Sequence, residues 1–290
     1  MANVGIKIVE KTDLITQKLH NDNEKCLELR RMLYLCFMMT ELTNNLRKMV
    51  ASLGNARSRR EENCFIAEGT KCVTDTWHAF KCRYLFATAA WVEQHGKELP
   101  GAQPIVVKRT DMERMSQLST PSQVLAVYDL PVVTFEEKCL QSNLVIALDR
   151  VQDPGNLGTI IRIADWFGIT DIVCSLDTVD VYNPKVIQAT MGAISRVRVH
   201  YIDLVDLIKR NPDVPVYGTF LDGRNIYETS LTPHGIVVMG NEGQGISDEV
   251  GNLIKRRLFI PSYPQERPTS ESLNVGMATA ITIAEFRRRM

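Results

Sequence analysis

The spacing of apolar residues switches repeatedly between the alternation of a strand and the wider period of a helix. From Leu46 it predicts a helix to about Leu53, a strand Cys64 to Ala67, a helix around Thr70 to Phe80 and a strand Tyr84 to Ala87 followed by a helix. Strands at Ile105 to Lys108 and Val124 to Tyr128, with helix between them, complete a first series. A second series opens with the apolar run Leu144 to Leu148 and breaks at Asp153-Pro154-Gly155. It resumes at helical spacing through Leu157, Ile160, Ile161, Ala164 and Phe167 before Gly168 ends it. Strands at Asp171 to Ser175, Val197 to Tyr201, Val214 to Leu221, Ile236 to Met239 and Leu258 to Ile260 then alternate with helices at Pro184 to Ala193 and Leu204 to Lys209 and a long C-terminal helix. Such alternation predicts an α/β protein. A small α/β domain spans 44–128, and a linker over 129–142 carries Pro131 and Glu136-Glu137-Lys138. A second domain over 143–290 is a mostly parallel sheet with helices on both faces.

Residues 1–43 differ, with a mixed-charge helical segment leading into the apolar run Met32 to Met39. That run is too short and too far from the start for a secretory signal and lacks a small-residue cleavage site. Two readings stand: a helical extension packed on the next domain, or an upstream extension of a chain whose translation begins at Met38 or Met39.

The chain of 290 residues has zero formal net charge, so affinity for nucleic acid has to come from a local patch. The seven cysteines have no CxxC pairing or neighbouring histidines, which reads as reduced thiols in a cytoplasmic protein, and no apolar run reaches the length of a membrane span. The candidate patch is SLGNARSRREENCFIAEG, where Arg57, Arg59 and Arg60 are expected in a loop before a buried strand. Guanidinium groups match phosphate oxygens bidentately, although Glu61 and Glu62 also fit an ordinary solvated run.

Three loops of the second domain carry chemistry. In DRVQDPGNLGTIIRIA, Pro154 and Gly155 make a strand-to-helix turn, Asn156 can cap the helix, Gly155 and Gly158 admit a ligand or a second backbone, and Arg162 lies about one turn in. MGNEGQGIS follows a buried strand, but its glycine order matches neither a dinucleotide fingerprint nor a P-loop. In LFIPSYPQERPTSESLNVGMATAI, Ser272-Leu273-Asn274 opens the last helix.

These three motifs, in this order and spacing, resemble those of the SpoU (TrmH) family of RNA ribose 2′-O-methyltransferases, within the SPOUT superfamily. The arginine segment resembles the small substrate-binding domain found in many members. The resemblance implies a C-terminal trefoil knot in the parallel sheet, an S-adenosylmethionine site inside it, a homodimer, and structured RNA, ribosomal or transfer, as substrate. It carries the cofactor-binding positions onto Gly240, Ile260 and Leu273, and the active-site polar set onto Asn156, Arg162, Glu242, Ser272 and Asn274. In that reading Glu242 and Asn156 orient Arg162, which serves the ribose 2′-hydroxyl. Two departures stand out: the loop between Pro261 and Ser272 is longer and holds Pro264 and Pro268, and Gly276 replaces a common Ser. No metal is expected, because methyl transfer from a sulfonium yields a neutral leaving group. An RNA-binding protein of the same fold with a structural or regulatory role is the alternative. A nicotinamide-dependent oxidoreductase is disfavoured by the missing fingerprint.

Overall fold

The computed structural model describes residues 42–264 and 272–289; the expectations for residues 1–41 and for Pro268 lie outside them. The first body of the described chain begins with α1 (Asn44–Ser52) and α2 (Ala56–Glu62). β1 (Cys64–Glu68), α3 (Thr70–Thr76), β2 (Cys82–Ala87) and α4 (Ala89–His95) follow, then β3 (Ile105–Val106), α5 (Arg109–Met115) and β4 (Val124–Asp129). Its four strands form a mixed sheet ordered β1-β4-β2-β3. β4 runs antiparallel to both neighbours, and β2 pairs with β3 in parallel.

The second body starts at β5 (Leu144–Leu148) and α6 (Pro154–Trp166), continues through β6 (Asp171–Cys174), α7 (Pro184–Thr190), β7 (Arg198–Tyr201) and α8 (Leu204–Arg210), and reaches β8 (Val216–Asn225). β9 (Gly235–Met239), α9 (Asp248–Gly251), β10 (Arg256–Phe259) and α10 (Val275–Arg288) complete it. All six strands are parallel, in the order β10-β8-β9-β5-β6-β7. β5 and β9 are buried along their whole length, as the centre of a sheet covered on both faces requires. The chain steps outward through β6 and β7, then returns to the other side of β5, so the switch in direction falls between β5 and β9. There the carboxyl ends of parallel strands leave a crevice suited to a ligand. Among the described residues no helix is long and apolar enough to cross a membrane.

The two bodies pack on each other through one apolar cluster that runs from Phe65 and Tyr128 through Leu144 and Ile146 of β5 to Ile187 of α7. The Phe65 and Tyr182 rings lie 4.8 Å apart. The segment expected as a linker is packed in its second half: Leu140 is fully buried, and Glu137 accepts from Arg210 and Asn211.

One local expectation is corrected. Arg57, Arg59 and Arg60 stand on helix α2 rather than in a loop. The Asn55 side chain caps it by accepting from Arg57 N, Arg57 and Glu61 pair one turn apart, and Asn63 in a left-handed conformation (φ 50°) ends it. Arg and Glu are good helix formers, so the charged run is a short solvated helix with one buried side chain.

Candidate functional site

The site is assembled by strand register. Leu148 and Met239 are partners across β5 and β9, so the two loops that follow leave the sheet side by side. Asp149 N donates to Met239 O, and the Asp149 carboxylate, 2 % exposed, accepts from Ser247 N at 2.6 Å. Asn241 ties the loops together: its Nδ2 donates to Arg150 O at 2.8 Å, and its Oδ1 accepts from Gly243 N and Gln244 N. Asn241 and Gly245 also exchange backbone hydrogen bonds, closing the glycine loop on itself.

That closure explains Gly240. A Cβ there would stand 2.2 Å from Gly245 C and 2.3 Å from Ile246 N, so a side chain is excluded by the loop's own backbone. Gly158 is excluded in the same way by a second helix, since its Cβ would meet the Ala189 Cβ on α7 at 2.4 Å. Of the two uses foreseen for Gly158, the structure shows close approach of a backbone.

The first turn of α6 is capped by Asp153, whose Oδ1 accepts from Asn156 N at 2.8 Å with Pro154 at the first helical position. The expected capping role of Asn156 is thereby corrected, and its side chain is free for other work. Asn156 Nδ2 donates to Glu242 Oε1 at 2.8 Å, and Asn156 Oδ1 accepts from Asn274 Nδ2 at 2.9 Å. Asn274 Oδ1 in turn caps α10 by accepting from Gly276 N and Met277 N. Three motifs distant in sequence thus meet in one chain of hydrogen bonds, Glu242–Asn156–Asn274.

A cavity of about 750 Å³ opens beside this chain. Gly240, Ile260 and Leu273 line it together with Glu242 and Ser272. Its further wall, missed from sequence, comes from Thr219, Phe220 and Leu221 of β8 and Tyr227 just beyond it. Only the pairing of β8 between β9 and β10 puts them there. The volume suits a small ligand, for which pockets of about 300–1,000 Å³ are usual. Apolar side chains such as Met239, Ile260 and Leu273 can enclose a flat ring, while Glu242 offers a carboxylate toward a cation. These residues fit an adenosine-bearing sulfonium.

Arg162 lies elsewhere. It is exposed on α6, six residues past Asn156, which is about 9 Å along the helix axis. Among the described residues it has no hydrogen-bond or ion-pair partner, so the expectation that Glu242 and Asn156 orient it is corrected: those two bond each other. A guanidinium held by nothing in the described chain remains available to an incoming anion.

The three arginines of α2 part company. Arg57 and Arg60 are exposed. Arg59 is 2 % exposed: its Nη1 donates to Leu53 O and Gly54 O, both at 2.9 Å, and its Nε and Nη2 donate to Asp180 Oδ2 at 3.1 and 2.5 Å. Its expected contact with RNA is ruled out by burial; it pins the first body to the second.

Comparison with known proteins adds the following. Residues 143–284 match the SpoU rRNA Methylase family, and residues 44–126 match the MRM3-like substrate binding domain. Over 191 residues the chain is 34 % identical to the 23S rRNA (guanosine(2553)-2′-O)-methyltransferase RlmP of Bacillus subtilis, covering 64 % of this chain and 73 % of that protein. A Porphyromonas gingivalis protein assigned to the TrmH family of RNA methyltransferases superposes with a TM-score of 0.77 at 39 % identity, covering 87 % of this chain and all of that one. An rRNA methyltransferase from Sinorhizobium meliloti, solved bound to AdoMet, superposes with a TM-score of 0.76 at 28 % identity over 87 % of this chain and 97 % of its own.

Proposed function

The chain belongs to the SpoU rRNA methylase family, and from that premise we propose that it transfers a methyl group from S-adenosylmethionine to a ribose 2′-hydroxyl of ribosomal RNA. The observation that carries the reading is the cavity of Gly240, Ile260 and Leu273 set beside the Glu242–Asn156–Asn274 chain. The cofactor, when bound, supplies a methyl group on a positively charged sulfur.

The chain's residues do the remainder. Gly240 and its closed loop, with Ile260 and Leu273, hold the adenosine part. Asn274, fixed by capping α10, and Asn156, fixed by Glu242, order the polar rim where the ribose enters, and Ser272 stands in the cavity wall. Arg162 meets the acceptor. A guanidinium offers donors and no acceptor, so Arg162 holds the hydroxyl and an adjacent phosphate and stabilises the alkoxide as it develops, while the hydroxyl proton leaves to water. The free guanidinium supports this role. Arg57 and Arg60, exposed on the first body beside Glu61 and Glu62, are the side chains proposed to reach the RNA backbone.

The trefoil knot belongs to the same proposal, carried by membership of the family. A homodimer fits two exposed apolar side chains on the second body, Trp166 of α6, 84 % exposed, and Met277 of α10, 59 % exposed.

The test is methyl transfer from labelled S-adenosylmethionine to unmodified ribosomal RNA, followed by digestion and detection of 2′-O-methyl nucleosides. Arg162→Ala is expected to abolish transfer while cofactor affinity stays within about threefold. Substantial turnover by that variant removes Arg162 from the mechanism, and label found on a base rather than a ribose overturns the reaction assigned.

A further inference from the structure

The wall of the cofactor cavity formed by Tyr227 belongs to the turn after β8, whose start Asn225 closes by accepting from Tyr227 N at 3.0 Å and Glu228 N at 3.1 Å. Ile226 N donates to Phe259 O, and beyond it the chain leaves β8 for the loop that returns to β9. The carbonyls of that turn are collected by one side chain from the far end of the protein. Arg289 donates through Nη2 to Ile226 O at 3.1 Å and to Tyr227 O at 2.6 Å, and through Nη1 to Thr229 O. Its Nε donates to Glu285 Oε1 at 2.6 Å, and Arg288 takes the same carboxylate from the other side.

Glu285 is 5 % exposed, and Arg288 with Arg289 holds its carboxyl down to about 2, so the guanidinium stays neutralised and oriented while its outer nitrogens face the turn. The planar fork lets one side of the guanidinium face Glu285 while its outer nitrogens serve the Ile226, Tyr227 and Thr229 carbonyls. Arg256 acts on the other end of the loop: its Nη1 donates to Tyr217 Oη at 2.6 Å, and Tyr217 Oη accepts from Thr232 N at 3.0 Å. Between these two anchors the Tyr227 side chain, 47 % exposed, lines the cavity, and among the described residues its hydroxyl has no hydrogen-bond partner.

We propose that Arg289 is a positioning residue for cofactor binding, acting through the 226–229 turn to hold Tyr227 in the cavity wall. The proposal rests on the reading of that cavity as the S-adenosylmethionine site. It makes the C-terminal arginine part of the binding site without touching the ligand: loss of the clasp lets the turn move, and the wall moves with it.

The experiment measures S-adenosylmethionine affinity by calorimetry, with kcat, KM and unfolding temperature, for the full chain, Arg289→Ala, Arg289→Lys, Tyr227→Ala and the double variant Arg289→Ala with Tyr227→Ala. Arg289→Ala is expected to raise Kd and the cofactor KM about tenfold while kcat at saturating cofactor changes less than about twofold, and Arg289→Lys to recover part of the loss. The double variant is expected to bind within about twofold of Tyr227→Ala alone, because both changes remove the same wall. An unchanged Kd with a lowered unfolding temperature makes Arg289 a tether for α10 only and overturns the proposal. Losses that multiply in the double variant overturn the route through Tyr227. Should Arg289→Ala fail to fold, Arg289→Lys with wild-type Kd has the same force. A wild-type chain that binds no S-adenosylmethionine overturns the cofactor assignment and this proposal together, a result distinct from the others.

Discussion

Replacing Arg59 with Met separates a structural arginine from RNA-binding ones on the same helix. The apolar stem is kept and the guanidinium is lost, leaving the Leu53 and Gly54 carbonyls without their donor and Asp180 without its cation. The Leu53 bond is buried and the Gly54 bond partly so, and a buried polar group left unpaired costs about 1–3 kcal/mol. Asp180 is 32 % exposed and still accepts from Tyr182 N, so water recovers most of its solvation. The sum is about 3 kcal/mol, at the low end of the roughly 3–5 kcal/mol seen when one partner of a buried pair is removed. With both bodies melting together, a unit in the range of roughly 150–250 residues, that lowers the unfolding midpoint by about 6–12 °C. Scanning calorimetry reads the shift, and RNA affinity across a salt series, taken well below the transition, supplies the contrast. Arg59→Met should keep the wild-type salt slope, whereas Arg57→Gln with Arg60→Gln should keep the unfolding midpoint and flatten the slope by about one unit for each phosphate no longer neutralised. An Arg59→Met protein that melts within a degree or two of wild type and shows a flattened slope refutes the assignment, since it puts the guanidinium on RNA rather than on Asp180.

Gly240→Val should weaken S-adenosylmethionine binding at least about tenfold by forcing open the Asn241–Gly245 closure; unchanged affinity in a calorimetric titration removes the cofactor from this loop. Glu285, held down to about 2 from 4.5 by Arg288 and then Arg289, contributes stability that is complete above its unfolded pKa and is lost as pH falls from about 4.5 toward 2. Unfolding midpoints followed from about pH 6 to pH 3 should therefore fall less steeply for Glu285→Gln than for wild type, and parallel curves contradict the pairing. Trp166→Asp should convert a dimer into a monomer in sedimentation equilibrium, and a wild-type protein already monomeric at micromolar concentration ends the proposal that this face is an interface.

The apolar pattern of the chain determined which segments are strands and helices of the parallel sheet. β5 and β9 read as unbroken apolar runs because both faces of a central parallel strand are buried, and α6 reads as a helix because Leu157, Ile160, Ile161 and Ala164 recur on its buried side. The three motifs also point to residues that line the cavity, Gly240, Ile260 and Leu273, since glycines and helix-capping residues at strand ends are local signals. Helix α2 differs from the expected loop although its signals are present in the chain: Asn55 as cap and an Arg57–Glu61 pair one turn apart. Other features have no local signal at all. Arg57, Arg59 and Arg60 are equivalent in sequence, and burial selects Arg59 because Asp180, 121 positions away, comes to meet it. Asn156 has the residue type of a cap, but Asp153 takes that bond and leaves its amide to join Glu242 and Asn274, 86 and 118 positions distant. Tyr227 joins the cavity beside Gly240 only because β8 lies between β9 and β10 and Arg289 closes on the turn behind it. Periodicity is a property of neighbours in the chain and reports which face is buried. The partner of a buried charge or a half-exposed ring is set by which distant segments the sheet order brings together, and that is decided only when the chain has folded.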